Sequence, residues 1–325
     1  MVLFIASIIF GFILLAWSAD KFVEGASAVA KHLGMPTLMI GIIIVGFGTS
    51  APEMVVSTMA ALEGNPSIAL GNALGSNIVN IGLILALTAI ISPIKVHSRI
   101  VRKEFPILLA IVLLFGVMLL NLHLSLIEGL LLVLGFFTLV AWSIYTSKHT
   151  RDTVLREEIE EEISVRLSLK KAIFWLLVGL VLLVLSSRLV VWGSIGVATL
   201  FCISDLIIGL TIIALGTSLP ELAASIVAAR KNEHDLALGN IIGSNMFNIL
   251  AVVGIAVVID PVSEVASEVL YRDWTVMTLV TVLLLGMIYA PKGQEGLLSR
   301  TNGVVLLLVY TAYTIGLGWM AVNHV

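Results

Sequence analysis

The chain has 325 residues, of which 59% are hydrophobic and only 12% are charged. Soluble globular domains carry about 25% charged residues, so this chain lacks the polar surface that a water-soluble fold of its length requires. Its formal net charge of −3 argues against a nucleic-acid partner, and its one cysteine, Cys202, excludes an intrachain disulfide and disfavours a thiolate metal site. The composition therefore predicts a membrane protein and not a soluble enzyme, a nucleic-acid binder or a disordered chain.

Long apolar runs recur along the whole chain, and about 20 consecutive apolar residues form a helix long enough to cross a bilayer. We predict an all-α membrane protein with ten transmembrane helices, near residues 2–19, 37–62, 67–91, 105–121, 125–146, 170–187, 205–229, 236–259, 273–290 and 303–321. The charged segment 147–169, between the fifth and sixth runs, is predicted to be a cytoplasmic linker.

The basic residues indicate on which side of the membrane each loop lies. With the N-terminus outside, all of the 18 Lys and Arg residues except Arg188 and Arg272 fall on the inner side. Cytoplasmic loops are enriched in basic residues, so this distribution predicts that both termini lie outside. Acidic residues near predicted span ends, such as Asp20, Glu24 and Glu128, are expected to be solvated or to cap helices.

The sequence contains an internal duplication. GFGTSAPE at 46–53 recurs as ALGTSLPE at 214–221, and GNALGSNIVN at 71–80 recurs as GNIIGSNMFN at 239–248; corresponding residue numbers differ by 168 in both cases. The copies begin at the second and seventh predicted helices, and this odd separation predicts that they cross the membrane in opposite directions. Inverted repeats of this kind are typical of secondary transporters, with the site at the repeat interface near the bilayer midplane.

The duplication also divides the chain into domains. We predict a first five-helix repeat over 1–146, with its motif at 38–82, and a second over 170–325, with its motif at 206–250. The linker 147–169 joins them.

Two acidic residues lie well inside predicted spans. Placing a carboxylate at the bilayer centre costs about 2.5–3.5 kcal/mol on insertion scales, so Glu53 and Glu221 are expected to face the protein interior on an ion or proton path. Thr49 and Ser50 precede Glu53 by four and three residues, which places all three on one helix stripe. The members of this polar set offer only oxygen ligands, which favours hard cations such as Ca²⁺ and Na⁺. They are Thr49, Ser50, Glu53, Ser57, Asn72, Ser76 and Asn80 in the first copy, and Thr217, Ser218, Glu221, Ser225, Asn240, Ser244 and Asn248 in the second.

A proline precedes each glutamate. Pro52 and Pro220 have no N–H and clash with the carbonyl four residues back, so the carbonyls of Gly48 and Gly216 are predicted to leave the helical ladder. Irregular backbone at membrane depth is tolerated where it lines a cavity. The prolines therefore add loosened carbonyl oxygens to the predicted cation site.

Two further pairs of polar residues are ambiguous. Asn77 and Asn245 are either hydrogen bonders between helices or additional ligands, because they point about 100° away from the neighbouring serines. Ser57 and Ser225 are more typical of helix packing.

The tandem GTS-x-PE and GN-x-x-GSN-x-x-N segments resemble the repeats of the cation/Ca²⁺ exchanger superfamily, and are most similar to those of the prokaryotic Na⁺/Ca²⁺ exchangers. This resemblance implies a secondary transporter, not an enzyme, that exchanges Ca²⁺ for Na⁺ by alternating access. It implies no cofactor, with inorganic cations and the lipid bilayer as partners and no nucleic acid or obligate protein partner. It also implies that ten of these polar residues bind the ions, with the two glutamates as principal Ca²⁺ ligands and backbone carbonyls contributed by Gly46 and Ala214. The ten are Thr49, Ser50, Glu53, Ser76, Asn80, Thr217, Ser218, Glu221, Ser244 and Asn248.

One position departs from the family pattern and leaves an alternative open. Asn248 stands where an archaeal-type pattern has aspartate, so the site carries two formal negative charges and not three. A cation/H⁺ exchanger or a K⁺-dependent exchanger that uses the same two glutamates is therefore the alternative. An intramembrane enzyme would require a nucleophile–base pair that breaks the near symmetry of the motifs, and a tight carboxylate pair favours occlusion over a channel. The short loops favour a prokaryotic plasma (inner) membrane.

Overall fold

A computed structural model describes residues 1–33, 35–97, 103–158, 167–200, 214–289 and 295–323. In chain order, the elements are α1 (Val2–Leu33), α2 (Thr37–Thr49), α3 (Ala51–Leu62), α4 (Pro66–Ile91), β1 (Ile94–Val96), α5 (Phe105–Leu119), α6 (Leu126–Glu158), α7 (Leu169–Leu200), α8 (Ala214–Thr217), α9 (Leu219–Arg230), α10 (His234–Ile259), α11 (Val269–Ile288), β2 (Gly296–Leu298) and α12 (Arg300–Asn323). The protein is therefore almost entirely helical in the part of the chain that the structure describes.

Seven of the described helices are long and apolar enough to cross a membrane, and the bent pair α2–α3 makes an eighth candidate. Helix α10 is buried along most of its length, whereas α6 and α12 expose most of their apolar side chains, as helices in contact with lipid do. The predicted number of ten stays a prediction, as does the placement of both termini outside. Helix α5 has only 15 residues, and residues 205–213, at the start of the predicted seventh span, lie outside the described residues.

Several helices are longer than the predicted apolar runs. Helix α1 continues from the predicted end at residue 19 to Leu33 because its polar residues are paired: Lys21 Nζ lies 2.8 Å from Glu24 Oε2, and Lys231 Nζ lies 2.7 Å from Asp20 Oδ1. Helix α7 likewise continues to Leu200, so Arg188 lies within a helix and not in the loop where the sequence placed it.

Two other expectations concern α6. The helix continues as far as Glu158, through the first half of the predicted linker 147–169, and residues 159–166 of that linker lie outside the described residues. At its start, Glu128 Oε2 accepts hydrogen bonds from the backbone N–H and the hydroxyl of Ser125, each at 2.7 Å. This is a capping box, so the predicted capping role of Glu128 is confirmed.

The described chain divides into two compact units. Unit 1 comprises residues 1–55 and 134–247. In it α1 packs along α7, and α2 packs against the first half of α10 through glycines. A β-carbon placed on Gly243 would lie 2.5 Å from the carbonyl oxygen of Ile42, and one on Gly239 would lie 2.6 Å from that of Leu38. The two backbones are therefore in direct contact, which brings Gly46 beside Ser244.

Unit 2 comprises residues 56–133 and 248–325. The first half of α4 packs against residues 248–253 of α10, and the second half of α4 packs against α12. Strands β1 and β2 pair in antiparallel fashion, with Ile94 opposite Leu298. Leu124 and Val262 form a further antiparallel bridge.

The secondary structure repeats between the two sequence copies. The bounds of α3 and α9, and those of α4 and α10, differ by the same 168 residues as the motifs. Both α4 and α10 contain a π-helical turn at the same place, Asn80–Leu85 and Asn248–Val253. The direction in which each copy crosses a membrane, and with it the division into domains, stays a prediction.

Candidate functional site

Glu53 and Glu221 lie in the first turns of α3 and α9, and each is only 1% exposed. A single non-helical residue precedes each helix: Ser50 has φ −79° and ψ 5°, and Ser218 has φ −90° and ψ 6°. The axes of α2 and α3 differ by 45° across this break. A carboxylate in a first helical turn is favoured by the partial positive charge of the unpaired N–H groups, which offsets part of the cost of its burial.

Each glutamate accepts a hydrogen bond from the serine of the other copy. Ser50 Oγ donates to Glu221 Oε1 at 3.1 Å, and Ser218 Oγ donates to Glu53 Oε1 at 3.3 Å. Each serine thus holds the carboxylate of the other GTS-x-PE motif. The structure brings both predicted acids and both predicted serines together in unit 1.

Three more predicted residues join this cluster. Ser244 Oγ donates to Glu221 Oε1 at 3.5 Å and lies 3.3 Å from the carbonyl oxygen of Gly46. That carbonyl also accepts the backbone N–H of Ser50 at 3.1 Å and lies 3.4 Å from Thr49 Oγ1. Gly46 ends the π-helical turn Gly41–Gly46, a type of turn that is frequent at functional sites.

One oxygen of the cluster has no hydrogen bond to satisfy it. Glu221 Oε2 is buried and has no hydrogen-bond partner among the described residues. An unsatisfied buried carboxylate oxygen is costly, since it gives up its hydration without compensation. The position is suited to a cation.

The carbonyl of Gly216 is hydrogen-bonded to a neighbouring helix. Because Pro220 has no N–H, the carbonyl of Gly216 lacks its usual helical donor, and Ser187 Oγ of α7 donates to it at 2.7 Å. The expected release of this carbonyl is confirmed, and its partner is a hydroxyl from a neighbouring helix.

The remaining predicted ligands of the first copy and Asn248 lie in unit 2. Ser76, Asn80 and Asn248 are at most 4% exposed. Asn248 Nδ2 donates to Asn77 Oδ1 at 3.0 Å, so Asn77 is a hydrogen bonder between helices, one of its two expected roles. Asn248 Oδ1 is buried without a hydrogen-bond partner among the described residues.

Two further predicted residues lie in α8. Thr217 is half-buried at the end of α8, and Ala214 begins the same helix. The residues immediately before Ala214 lie outside the described part of the chain.

Asn240 has a role that the predicted ligand set omits. Its Oδ1 accepts from Thr49 Oγ1 at 3.0 Å, and its Nδ2 lies 3.2 Å from the carbonyl oxygen of Glu221 and 2.9 Å from Ser225 Oγ. In unit 2, Asn72 Nδ2 donates in the same way to Ser57 Oγ at 3.0 Å. Ser57 and Ser225 therefore pack between helices, as their small size indicated. Asn240 lies one helical turn before Ser244, and this four-residue spacing already placed it on the same polar stripe in the sequence.

The donor set determines what the site can bind. Among the described residues, no group of three or more His, Cys, Asp or Glu side chains could hold a metal ion. The cluster in unit 1 is instead a pair of carboxylates surrounded by hydroxyl, amide and carbonyl oxygens. Such a set suits a hard cation that exchanges readily, and not a tightly held transition metal.

Comparisons with known proteins agree with this chemistry. The family model for the sodium/calcium exchanger protein matches residues 3–145 and 171–319. The putative antiporter CaxA of Alkalimonas amylolytica is 44% identical over 94% of this chain and 96% of its own length. The inner membrane protein YrbG of Escherichia coli (strain K12) is 38% identical over 99% of this chain and 98% of its own. The sodium/calcium exchanger MaX1 of Methanosarcina acetivorans is 33% identical over 95% of this chain and 96% of its own.

A solved structure extends the likeness to three dimensions. A structure of the sodium-calcium exchanger NCX_Mj superposes with a TM-score of 0.81, at 30% sequence identity, and the match covers 96% of this chain and 97% of that one.

Proposed function

Because the chain belongs to the sodium/calcium exchanger protein family, we propose that it exchanges Ca²⁺ for Na⁺ by alternating access. It is a multi-pass protein of the plasma (inner) membrane. The two ions bind in turn to one set of oxygen ligands near the bilayer midplane. The ten-helix arrangement, with two inverted repeats and both termini outside, is part of this proposal.

The reciprocal hydrogen bonds between the two GTS-x-PE motifs are the observation that carries the proposal. They hold two buried carboxylates in one cluster, and two carboxylates balance the charge of one Ca²⁺. A serine hydroxyl has one donor and two lone pairs and can rotate. When an ion enters, Ser50 and Ser218 turn their lone pairs toward it, while Glu53 and Glu221 share it.

Neutral oxygens complete the coordination of each ion. Ca²⁺ takes six to eight oxygen ligands, more than two glutamates supply. We assign this role to the side chains of Thr49, Ser50, Ser76, Asn80, Thr217, Ser218, Ser244 and Asn248, and to the backbone carbonyls of Gly46 and Ala214. Na⁺ recruits the same hydroxyls and amides and displaces Ca²⁺ by competition.

Flux through reconstituted vesicles tests the proposal. Vesicles loaded with Na⁺ and diluted into Na⁺-free buffer should accumulate ⁴⁵Ca²⁺, and Glu53→Gln and Glu221→Gln should each abolish this uptake because a neutral amide cannot balance the charge of Ca²⁺. Glu63→Gln is the matched control, since Glu63 is exposed in the turn after α3 and its substitution should leave uptake unchanged.

The same vesicles distinguish Na⁺ from other driving ions. Uptake driven by a pH or K⁺ gradient with Na⁺ absent, or normal Na⁺-driven uptake by either glutamine variant, contradicts the proposal.

A further inference from the structure

We propose that Asn77 is a positioning residue that, with Met277, orients the side-chain amide of Asn248 so that its oxygen is presented to the transported ion. The inference rests on the proposed function, because it takes Asn248 as an ion ligand. It assigns to Asn77 and Met277 a part in ion binding although neither touches the ion.

The three side chains form a hydrogen-bonded chain across three helices of unit 2. Asn248 Nδ2 of α10 donates to Asn77 Oδ1 of α4 at 3.0 Å, and Asn77 Nδ2 donates to Met277 Sδ of α11 at 3.4 Å. Asn77 and Met277 are fully buried, and Asn248 is 1% exposed. Water therefore cannot replace a lost partner without cost.

The sulfur atom of Met277 determines which end of each asparagine amide donates and which accepts. A thioether has no hydrogen to donate, so Met277 can only accept. Asn77 must then turn its NH₂ group toward Met277 and its oxygen toward Asn248. Asn248 in turn directs its NH₂ group to Asn77, which leaves Oδ1 pointing away. This oxygen is the buried atom for which the described residues offer no hydrogen-bond partner.

The orientation matters because an asparagine has two unlike ends. Its oxygen attracts a cation, whereas its NH₂ group repels one, and the two ends have nearly the same shape. A carboxylate at this position would have two equivalent oxygens and would need no orientation. The polar chain thus makes a neutral residue behave as a dedicated oxygen ligand.

A double-mutant cycle tests this role. Asn77→Leu is compared in the wild-type protein and in the Asn248→Ala background, with the apparent Ca²⁺ affinity of Na⁺-driven ⁴⁵Ca²⁺ uptake as the readout. In the wild-type background we expect affinity to fall about three- to tenfold, as for loss of one buried hydrogen bond. In the Asn248→Ala background we expect a change of less than about twofold, because no side-chain amide is left to orient.

Two further variants distinguish a loss of amide orientation from a general packing defect. Met277→Leu conserves volume and is tolerated in packed cores, yet it removes the acceptor that sets the direction, so it should also weaken Ca²⁺ binding in the wild-type background only. Thr88→Val removes a buried hydroxyl of α4 whose bond goes to the carbonyl of Ile84 in the same helix, 2.7 Å away, and should leave Ca²⁺ affinity unchanged.

The outcomes separate this inference from the proposed function. Equal losses of affinity in both backgrounds, or no loss for Asn77→Leu in the wild-type background, overturn the positioning role alone. Wild-type vesicles without Na⁺-driven uptake overturn the proposed function and this inference with it.

Discussion

At the scale of single residues, each copy of the repeat completes the other. Ser50 and Ser218 each donate to the glutamate of the opposite motif, at 3.1 and 3.3 Å. A hydrogen bond contributes about 0.5–1.5 kcal/mol, so each serine contributes to holding a glutamate that belongs to a different part of the sequence.

These reciprocal hydrogen bonds predict that the two serines contribute equally to Ca²⁺ affinity. Ser50→Ala and Ser218→Ala should each weaken apparent Ca²⁺ affinity by roughly tenfold or more, since each removes a buried hydrogen bond to a glutamate and a proposed ion ligand. Concentration dependence of ⁴⁵Ca²⁺ uptake measures the effect. Ser267→Ala, at an exposed position just before α11, is the control and should transport normally. If only one of the two substitutions weakened Ca²⁺ affinity, the predicted equivalence would be wrong.

The sequence identified most of this cluster but not its connections. The burial of Glu53 and Glu221 follows from their place in apolar runs, and the shared stripe with the serines follows from helix spacing. Which serine bonds to which glutamate depends on packing between helices, which no local pattern encodes. Helix spacing placed Asn240 on the polar stripe, but its bonding role was not predicted, because its partners Thr49 and Ser225 come from two other helices.

At the scale of elements, the approach of α2 to α10 places the site. Gly239 and Gly243 let the backbones touch, and the atoms that a β-carbon on Gly243 would meet are backbone atoms of Ile42. Backbone atoms cannot move aside as the end of a flexible side chain can. Small residues at such contacts are the usual means by which membrane helices approach closely.

A single methyl group at this contact should therefore separate the helices. Gly243→Ala should lower the free energy of unfolding by about 1–3 kcal/mol, as overpacking does, and should reduce Na⁺-driven uptake because Gly46 and Ser244 move apart. Thermal denaturation in detergent and vesicle flux measure the two effects. Gly286→Ala is the control, since a β-carbon there would have open space in α11. Equal stability of the two variants would show that the close approach is not needed.

Element boundaries show where sequence reasoning reached its limit. The apolar runs located the helices, but α1 continues for a further 14 residues beyond the predicted end at residue 19, through Asp20, Lys21 and Glu24. Hydropathy treats these charges as the end of a span. In the fold they are paired, one of them with Lys231 from a distant part of the chain, and pairing across such a distance leaves no trace in a local average.

At the scale of the whole molecule, the proposed ion site predicts a link between ion binding and stability. Two carboxylates are buried together in unit 1, and Glu221 Oε2 has no hydrogen-bond partner among the described residues. Burying such groups costs free energy that a bound cation returns. A ligand that binds only the folded state stabilises it by RT ln(1 + [L]/Kd), about 2.7 kcal/mol when its concentration is 100 times Kd.

We therefore expect the melting temperature of the purified protein in detergent to rise with Ca²⁺ concentration, by a few degrees at roughly 100 times Kd. Mg²⁺ should have little effect, because it demands near-ideal octahedral geometry and keeps several of its waters. Glu53→Gln and Glu221→Gln should each lose the Ca²⁺-dependent rise, while the exposed control Glu63→Gln retains it. A melting temperature that does not respond to Ca²⁺ would argue against Ca²⁺ binding to the folded protein. An equal response in the glutamine variants would place Ca²⁺ binding away from this pair of acids.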